Sequence, residues 1–250
     1  MKNLRFDFRS SVRFLAVLAA AAVFAALLAG CSRETTPDNT DKGTDPIVTS
    51  ADIATADDVS VGTDAPIPPD FSFPEVGGTF TLGKYEQDGN AENGAEDIEW
   101  IVLSGEDGYL LAVSKYSLDS MELNDSDEGT TWDKSTLKAW LNGEFYEGAF
   151  TDFEKAKISD TDAGRVFLLT VEDAETLFET DADRISEGTA YAHSSGLFKT
   201  EGGGVWWWLR STGEKDGYFA GVDGNGTVSR AGNTAHRIKH GVRPAIRIEP

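Results

Sequence analysis

Apolar and polar residues alternate in three short runs near the start of the region that has the composition of a folded domain. These runs are residues 79–82 (TFTL), 97–103 (DIEWIVL) and 109–116 (YLLAVSKY). In the second run the alternation places Ile98, Trp100 and Val102 on one face. A period of two is typical of strands with one buried face, and a Glu-Asp-Gly turn precedes the third run. The pattern therefore predicts an antiparallel meander.

From residue 131 the apolar spacing changes to three and four residues, which is the period of a helix. Leu137, Trp140 and Leu141 then share one helical face. The pair Asn142-Gly143 directly follows this face, and both residue types are common at helix ends. The sequence therefore predicts one helix that ends at Asn142-Gly143.

Two threonines mark the starts of further helices. Thr151 and Glu154 have the spacing of a capping box, in which each side chain accepts a backbone amide hydrogen of the other residue. Thr170 is placed to cap a second helix. The apolar stripe of this second helix consists of Ala174, Leu177 and Phe178. Residues 166–169 (VFLL), between the two helices, predict a buried strand.

The C-terminal quarter is strand-like again. Residues 218–222 (YFAGV) and 227–229 (TVS) flank Asp-Gly-Asn-Gly, which is a strong hairpin signal. Residues 241–248 (GVRPAIRI) predict one last strand, which Pro244 restricts to an edge or a bulge. Strands, then helices, then strands indicate the α+β class.

A run of three tryptophans and an arginine is the most unusual stretch, at residues 205–210 (VWWWLR). If this stretch is a strand, its odd-numbered members form a wholly apolar core face. Trp206, Trp208 and Arg210 then form the other face, where aromatic surface and a fixed cation suit a sugar-like or planar ligand or a protein partner. Burial of both faces, with Arg210 paired to a carboxylate, stays open as the alternative.

The N-terminal residues predict export and a membrane anchor. Residues 1–30 contain a basic flank and an apolar run that are typical of a signal peptide. The run ends in Leu-Ala-Gly-Cys, which resembles a bacterial lipobox and predicts lipidation of Cys31. Residues 31–73 are acidic and poor in large apolar side chains, which predicts a disordered tether. Residues 74–250 are long enough for one domain with its own core.

The charge and the single cysteine exclude several functions. The net charge of the whole chain is -21, so nucleic acid is not expected as a partner. One cysteine allows no structural disulfide. No cofactor is expected and no metal site is assigned. The acidic stretch with Asp125, Asp127, Glu128 and Asp133 leaves calcium open, although its spacing favours a solvated loop.

Seven segments together resemble the bacterial domain-of-unknown-function family 6273. In chain order these are LGKYEQDG (82–89), IEWIVL (98–103), TWDKSTLKAWLNGEFY (131–146), VFLLTVEDA (166–174), TAYA (189–192), WWLRSTG (207–213) and GVRPAIRI (241–248). The resemblance covers residues 78–250 and implies no activity.

The C-terminal half also resembles the C-type-lectin-like fold, in the branch of the formylglycine-generating enzyme domain. This resemblance implies that a tryptophan-rich strand precedes a loop and a hairpin, and that the last strand pairs back near the N-terminal strand. The hypothesis of a recognition site whose floor is formed by Trp206, Trp208 and Arg210 adds Tyr191, Tyr218 and Arg243 as candidate walls. The enzyme members of that branch require cysteines, which this domain lacks. The last forty residues also resemble the variable region of diversified lectin-like receptors.

The favoured hypothesis is a lipoprotein that is anchored by Cys31 outside the cytoplasm, with a non-catalytic domain that binds a glycan or protein ligand. No catalytic residue is assigned, because neither a Gly-x-Ser-x-Gly motif nor a paired serine and histidine in a plausible order is present. The alternative is an exported enzyme that acts on cell-envelope glycans or proteins, with carboxylates that the sequence does not locate.

Overall fold

The computed structural model describes residues 73–106, 108–126 and 128–249. These residues belong to one compact unit, Thr63–Pro250. The predicted signal peptide, Cys31 and the tether apart from Phe73 lie outside the described residues. Among the helices that are described, none has the length and apolar character needed to cross a membrane.

The N-terminal meander is confirmed. β1 (Thr79–Tyr85), β2 (Glu96–Glu106) and β3 (Tyr109–Ser114) pair as antiparallel neighbours. The predicted apolar face of β2 is fully buried and consists of Ile98, Trp100 and Val102. Local alternation was therefore sufficient to predict both the pairing and the buried face of these strands.

The helical segment after the meander is longer than predicted. It starts with a 3-10 turn (Trp132–Lys134) and continues as α1 (Thr136–Trp140), a π-helical turn (Leu141–Phe145) and α2 (Tyr146–Ala149). The predicted end at Asn142-Gly143 is wrong, because both residues lie inside the π-helical turn.

The side chain of Asn142 explains why the helix continues. Its Nδ2 donates to the carbonyl oxygens of Lys138 and Val166, at 3.0 and 2.8 Å. Its Oδ1 accepts the amide hydrogen of Arg165 at 2.7 Å. Asn142 therefore joins the helix to a distant segment, and this tertiary contact overrides the tendency of asparagine to end a helix.

Four short helices follow, and the caps predicted for the first two are confirmed. They are α3 (Asp152–Lys155), α4 (Val171–Thr176), α5 (Asp181–Arg184) and α6 (Ala190–Ser194). Thr151 and Glu154 form the predicted capping box before α3, and Thr170 forms another with Asp173 before α4. These reciprocal hydrogen bonds satisfy amide groups that a helix start leaves without partners.

The C-terminal strands form a second sheet. β6 (Trp207–Thr212) pairs with β7 (Tyr218–Val222), which pairs with β8 (Val228–Thr234), and both pairings are antiparallel. The predicted hairpin around Asp-Gly-Asn-Gly is confirmed. Glycine is required at position 226, because a Cβ there would lie 1.7 Å from the carbonyl oxygen of Asp181.

The predicted last strand is two strands in two different sheets. β9 (His240–Val242) pairs with β4 (Asp119–Met121), and β10 (Ala245–Ile248) pairs with β3 and with β5 (Val166–Phe167). The prediction of one strand over residues 241–248 is therefore wrong. Pro244 has no amide hydrogen to donate to a ladder, and the chain passes from one sheet to the other at Arg243-Pro244.

The two five-stranded sheets have the orders β1-β2-β3-β10-β5 (sheet 1) and β4-β9-β6-β7-β8 (sheet 2). All their pairings are antiparallel except the one between β6 and β9. With the short helices grouped mainly between β4 and β6, the described domain is an α+β fold.

Candidate functional site

The tryptophan run does not form an open face. Trp207 and Trp208 are both 0% exposed, and their indole nitrogens donate to the carbonyl oxygens of Arg184 and Met121, at 3.2 and 2.9 Å. The predicted ligand-facing role of Trp208 is therefore corrected, since both faces of β6 are covered at this point. A buried tryptophan with a satisfied N–H group is a structural residue.

Arg243 is also a structural residue. It is 1% exposed, and its Nε and Nη1 donate to the carbonyl oxygens of Ser114 and Arg184, at 2.9 and 3.0 Å. Its guanidinium carbon lies 4.9 Å from the ring centroid of Trp207. Burial lowers the pKa of Arg243 to about 9, so the group is still a cation at neutral pH. The predicted role of Arg243 as a wall of the site is therefore corrected.

Trp206 is half-buried and packs against a histidine. Its ring stacks on His240 with the centroids 5.2 Å apart, and His240 also lies 4.4 Å from Trp208. Burial lowers the pKa of His240 to about 4, so the ring is neutral at pH 7. Nδ2 of Asn233 lies 2.9 Å from Nε2 of His240, and a neutral ring accepts this hydrogen bond.

Arg210 lies elsewhere, in a cleft of about 960 Å³ that we call the arginine cleft. The cleft contains a second arginine, Arg247 of β10. Its lining consists of Ser104, Tyr109, Leu111, Trp132, Asp133, Asp160, Thr161, Asp162, Ala163, Phe167, Asp173, Arg210 and Arg247.

Sheet 1 supplies one wall of this cleft. Arg247 is the cross-strand partner of Leu111, so the two side chains share a face. Ala245 lies two residues before Arg247 and pairs with Phe167, which places Phe167 on the same face. The guanidinium carbon of Arg247 lies 3.8 Å from the ring centroid of Tyr109. The ring thus holds the guanidinium close to the sheet.

Arg210 enters the cleft from sheet 2. Its backbone amide donates to the carbonyl oxygen of Leu169 at 2.9 Å, next to the start of α4. Its guanidinium carbon lies 6.0 Å from the ring centroid of Phe167. Both arginines therefore lie over aromatic rings. Strand pairing fixes the backbone of Arg247, and the hydrogen bond to Leu169 fixes the backbone of Arg210.

Neither arginine is neutralised by the part of the chain that the structure describes. No described carboxylate lies within ion-pair distance of Arg210 or Arg247. Nε of Arg210 is buried and has no hydrogen-bond partner. An unsatisfied donor on a cation is costly, so the guanidinium of Arg210 has capacity to bind a further group.

Three of the four aspartates around the cleft are already hydrogen-bonded or ion-paired. Asp133 pairs with Lys138 at 2.6 Å, Asp160 pairs with Arg165 at 3.4 Å, and Asp173 accepts the amide hydrogen of Thr170 at 2.7 Å. The hydrogen bond with Lys138 is the main cause of the lowered pKa of Asp133, and the charge of Arg210 adds to it.

Tyr191 lies in a different cleft of about 490 Å³, which we call the tyrosine cleft. There Tyr85 donates a hydrogen bond of 2.6 Å from its hydroxyl to Oδ2 of Asp119. Burial, and then this hydrogen bond, raise the pKa of Tyr85 well above its usual range. The lining consists of Lys84, Tyr85, Glu86, Ala95, Asp119, Ser120, Met121, Trp140, Glu144, Phe145, Gly148, Ala149, Tyr191, Ser195 and Lys239.

The six predicted site residues are therefore not brought together. Arg210 lines the arginine cleft, Tyr191 lines the tyrosine cleft, and Tyr218 is half-buried on β7 with the ammonium of Lys215 5.2 Å from its ring centroid. Arg247 is not among the predicted site residues, although Pro244 was a signal that Arg243 and Arg247 belong to different strands.

One cluster of three carboxylates is compact enough to hold a cation, but its side chains already accept hydrogen bonds within their own loop. Side-chain oxygens of Glu86, Asp88 and Glu96 lie within 4.8 Å of one another. Several of them accept backbone amide hydrogens of residues 87–90, and Asp88 also accepts from Asn93. Because these bonds account for the geometry of the loop, the cluster does not identify a bound metal.

The described residues thus form an α+β domain whose surface includes the arginine cleft and the tyrosine cleft. Residues 107–250 match a family model described as "Domain of unknown function (DUF6273)". This match covers more than half of the chain, and the chain belongs to this family. No curated protein and no solved structure matches the chain.

Proposed function

We propose that this protein is an extracytoplasmic lipoprotein whose α+β domain binds a carboxylate-bearing glycan or protein ligand in the arginine cleft, without turnover. The observation that carries the proposal is the pair of arginines without carboxylate partners. In a chain of net charge -21, a carboxylate is available to almost any surface arginine. Two arginines that share a cleft and still have no ion pair are therefore placed for an external anion.

The cleft favours one carboxylate over a more highly charged anion. Arginine presents a planar fork that matches the two oxygens of a carboxylate, and the rings of Tyr109 and Phe167 limit the movement of each guanidinium. Asp133, Asp160, Asp162 and Asp173 surround the arginines. These carboxylates repel a dianion such as phosphate more strongly than a single carboxylate.

A C-type-lectin-like fold is part of the proposal. What supports it is the last strand, β10, which pairs with β3 of the N-terminal meander. A second support is the tryptophan-rich strand β6, which precedes a hairpin, as the resemblance implies. Recognition loops on a rigid two-sheet scaffold agree with a binding function.

The sharpest test of the cleft compares two sugars that differ only in a carboxylate. The full chain in mild detergent is titrated with glucuronate and with glucose while tryptophan emission is followed. Trp132 lines the cleft and is 7% exposed, so it is the reporter. We expect a saturable change with glucuronate that is absent with glucose and is lost in Trp132→Phe.

Arginine variants locate the response. Arg210→Gln and Arg247→Gln are each expected to weaken glucuronate binding by about tenfold or more, which is the effect of one lost charge-assisted hydrogen bond. The control is Arg230→Gln, because Arg230 is exposed and pairs with Glu175 outside the cleft. Equal affinity in all four proteins contradicts the proposal. Product formation from a peptidoglycan fragment favours the enzyme alternative instead.

The anchor is tested separately. Cys31→Ser removes the proposed lipid attachment site, and a protein without its acyl chains loses most of its affinity for a bilayer. We expect the wild-type chain in the membrane fraction of the producing cell and the exported variant in the soluble fraction. An unchanged distribution contradicts lipid anchoring at Cys31 and leaves the arginine cleft unaffected.

A further inference from the structure

We propose that the tyrosine cleft is a second, independent binding site that takes an uncharged sugar ring. A sugar ring presents hydroxyl groups around its edge and apolar C–H groups on its faces. The cleft offers a buried carboxylate and four flat aromatic side chains. These groups match both parts of such a ligand.

The polar part of the cleft centres on Asp119, which is 8% exposed. Its Oδ2 accepts from Tyr85 and its Oδ1 accepts from the amide of Ser120, both at 2.6 Å. A carboxylate has about four lone-pair positions, so two bonds leave capacity for donors from a ligand. Sugar hydroxyl groups are donors of this kind.

The apolar part of the cleft is a cluster of aromatic side chains. The ring of Tyr85 makes edge-to-face contacts with Tyr191 and Trp140, at centroid distances of 5.8 and 6.3 Å. Phe145 packs on Tyr85 from a third side at 5.2 Å. Such contacts fix ring orientations before a ligand binds, and a rigid aromatic surface binds at a small cost in entropy.

The charges at the cleft do not select an anion. Lys84 pairs with Asp97 at 2.5 Å, and Glu86 and Glu144 lie on the same lining as Lys239. Both signs are present, and the most buried charge is the negative Asp119. A neutral ring is therefore preferred here, whereas the arginine cleft prefers a carboxylate.

The hydrogen bond between Tyr85 and Asp119 also joins β1 of sheet 1 to β4 of sheet 2, so variants of these residues affect folding as well as binding. Tyr191→Ala avoids this problem, because Tyr191 is half-buried and takes no part in the hydrogen bond between Tyr85 and Asp119. Tyr218→Ala, at a half-buried tyrosine that does not line this cleft, is the matched control.

The test titrates the full chain with the methyl glycosides of glucose, galactose, mannose and N-acetylglucosamine, up to tens of millimolar, by saturation-transfer NMR and tryptophan emission. We expect saturable binding of at least one glycoside, with an emission change that is lost in Trp140→Phe. Tyr191→Ala is expected to weaken glycoside binding about tenfold, and Tyr218→Ala is expected to leave it unchanged.

Two results overturn the proposal. One is the absence of saturable binding of all four glycosides, and the other is unchanged affinity in Tyr191→Ala. Glucuronate binding reported by Trp132 is measured on the same samples. The results therefore distinguish a failure of the tyrosine-cleft proposal from a failure of the arginine-cleft proposal.

Discussion

Arg243 and Arg247 are four residues apart in one short segment, and each lies against an aromatic ring, but their surroundings differ. Arg243 is buried between the sheets, where its guanidinium donates to two backbone carbonyl oxygens and stacks on Trp207. Arg247 lies in an open cleft, where its guanidinium has an aromatic contact with Tyr109 and no ion pair with a described residue.

An arginine next to an aromatic ring therefore does not by itself identify a binding site. At Arg243 this combination joins two sheets, and Nε and Nη1 both donate to backbone carbonyl oxygens. At Arg210, which lies with Arg247 in the arginine cleft, Nε has no hydrogen-bond partner in the described structure. Unused hydrogen-bond capacity therefore separates the two regions, because buried polar groups in a folded chain are nearly always satisfied.

The largest expected effect is a loss of folding stability when the buried Trp207 is replaced. Trp207→Ala opens a cavity in the core and is expected to lower the free energy of unfolding by about 3–5 kcal/mol. Trp206→Ala, one residue earlier and half-buried, is expected to cost less than half as much. Urea denaturation followed by circular dichroism measures both. Equal losses would show that the two tryptophans are buried to the same extent, against the structure.

The next effect contrasts the two arginines directly. Arg243→Ala leaves the carbonyl oxygens of Ser114 and Arg184 without these donors and creates a cavity, with an expected loss of about 3 kcal/mol. Arg247→Ala is expected to change the free energy of unfolding by about 0.5 kcal/mol or less, as for other surface substitutions. A large loss for Arg247→Ala contradicts the view that this residue is available for a ligand.

A smaller effect depends on pH and tests the histidine beside the tryptophans. The pKa of His240 is about 4 in the folded chain against 6.5 for a free histidine. Between these values the unfolded chain binds more protons, so stability falls as the pH falls from 6.5 to 4. The expected contribution is about 3 kcal/mol at most, because the histidine is not fully buried.

His240→Gln isolates this contribution, since glutamine retains an acceptor for Asn233 and does not titrate. The free energy of unfolding is measured at several pH values between 4 and 7 for both proteins. We expect a shallower dependence in the variant. The same slope in both proteins would mean that His240 takes up its proton in the folded chain as easily as in the unfolded chain.

The parts of the fold that were predictable from the sequence depend on near neighbours. The alternation in β2, the capping boxes at Thr151 and Thr170, and the hairpin between β7 and β8 each follow from residues a few positions apart. Such signals are complete within a short window, so tertiary contacts had little opportunity to override them.

The predictions that were wrong or incomplete concern residues whose role depends on contacts with distant parts of the chain. Asn142 continues a helix because it binds residues that follow it by more than twenty positions. Trp208 is buried because residues near Met121 cover the face that alternation left open. The arginine cleft combines Arg210 of sheet 2 with Arg247 of sheet 1, and no local pattern in the sequence contains this pairing.

The most direct test of the central claim observes the arginine side chains themselves by NMR, in the full chain, as glucuronate is added. We expect the Nε–H signals of Arg210 and Arg247 to shift together and saturate, because both guanidinium groups are placed to bind a carboxylate. The Nε–H signal of Arg243, which already donates to Ser114, is expected to stay in place. Unmoved signals of Arg210 and Arg247 at high glucuronate concentration, or an equal shift of Arg243, would contradict carboxylate binding in the arginine cleft.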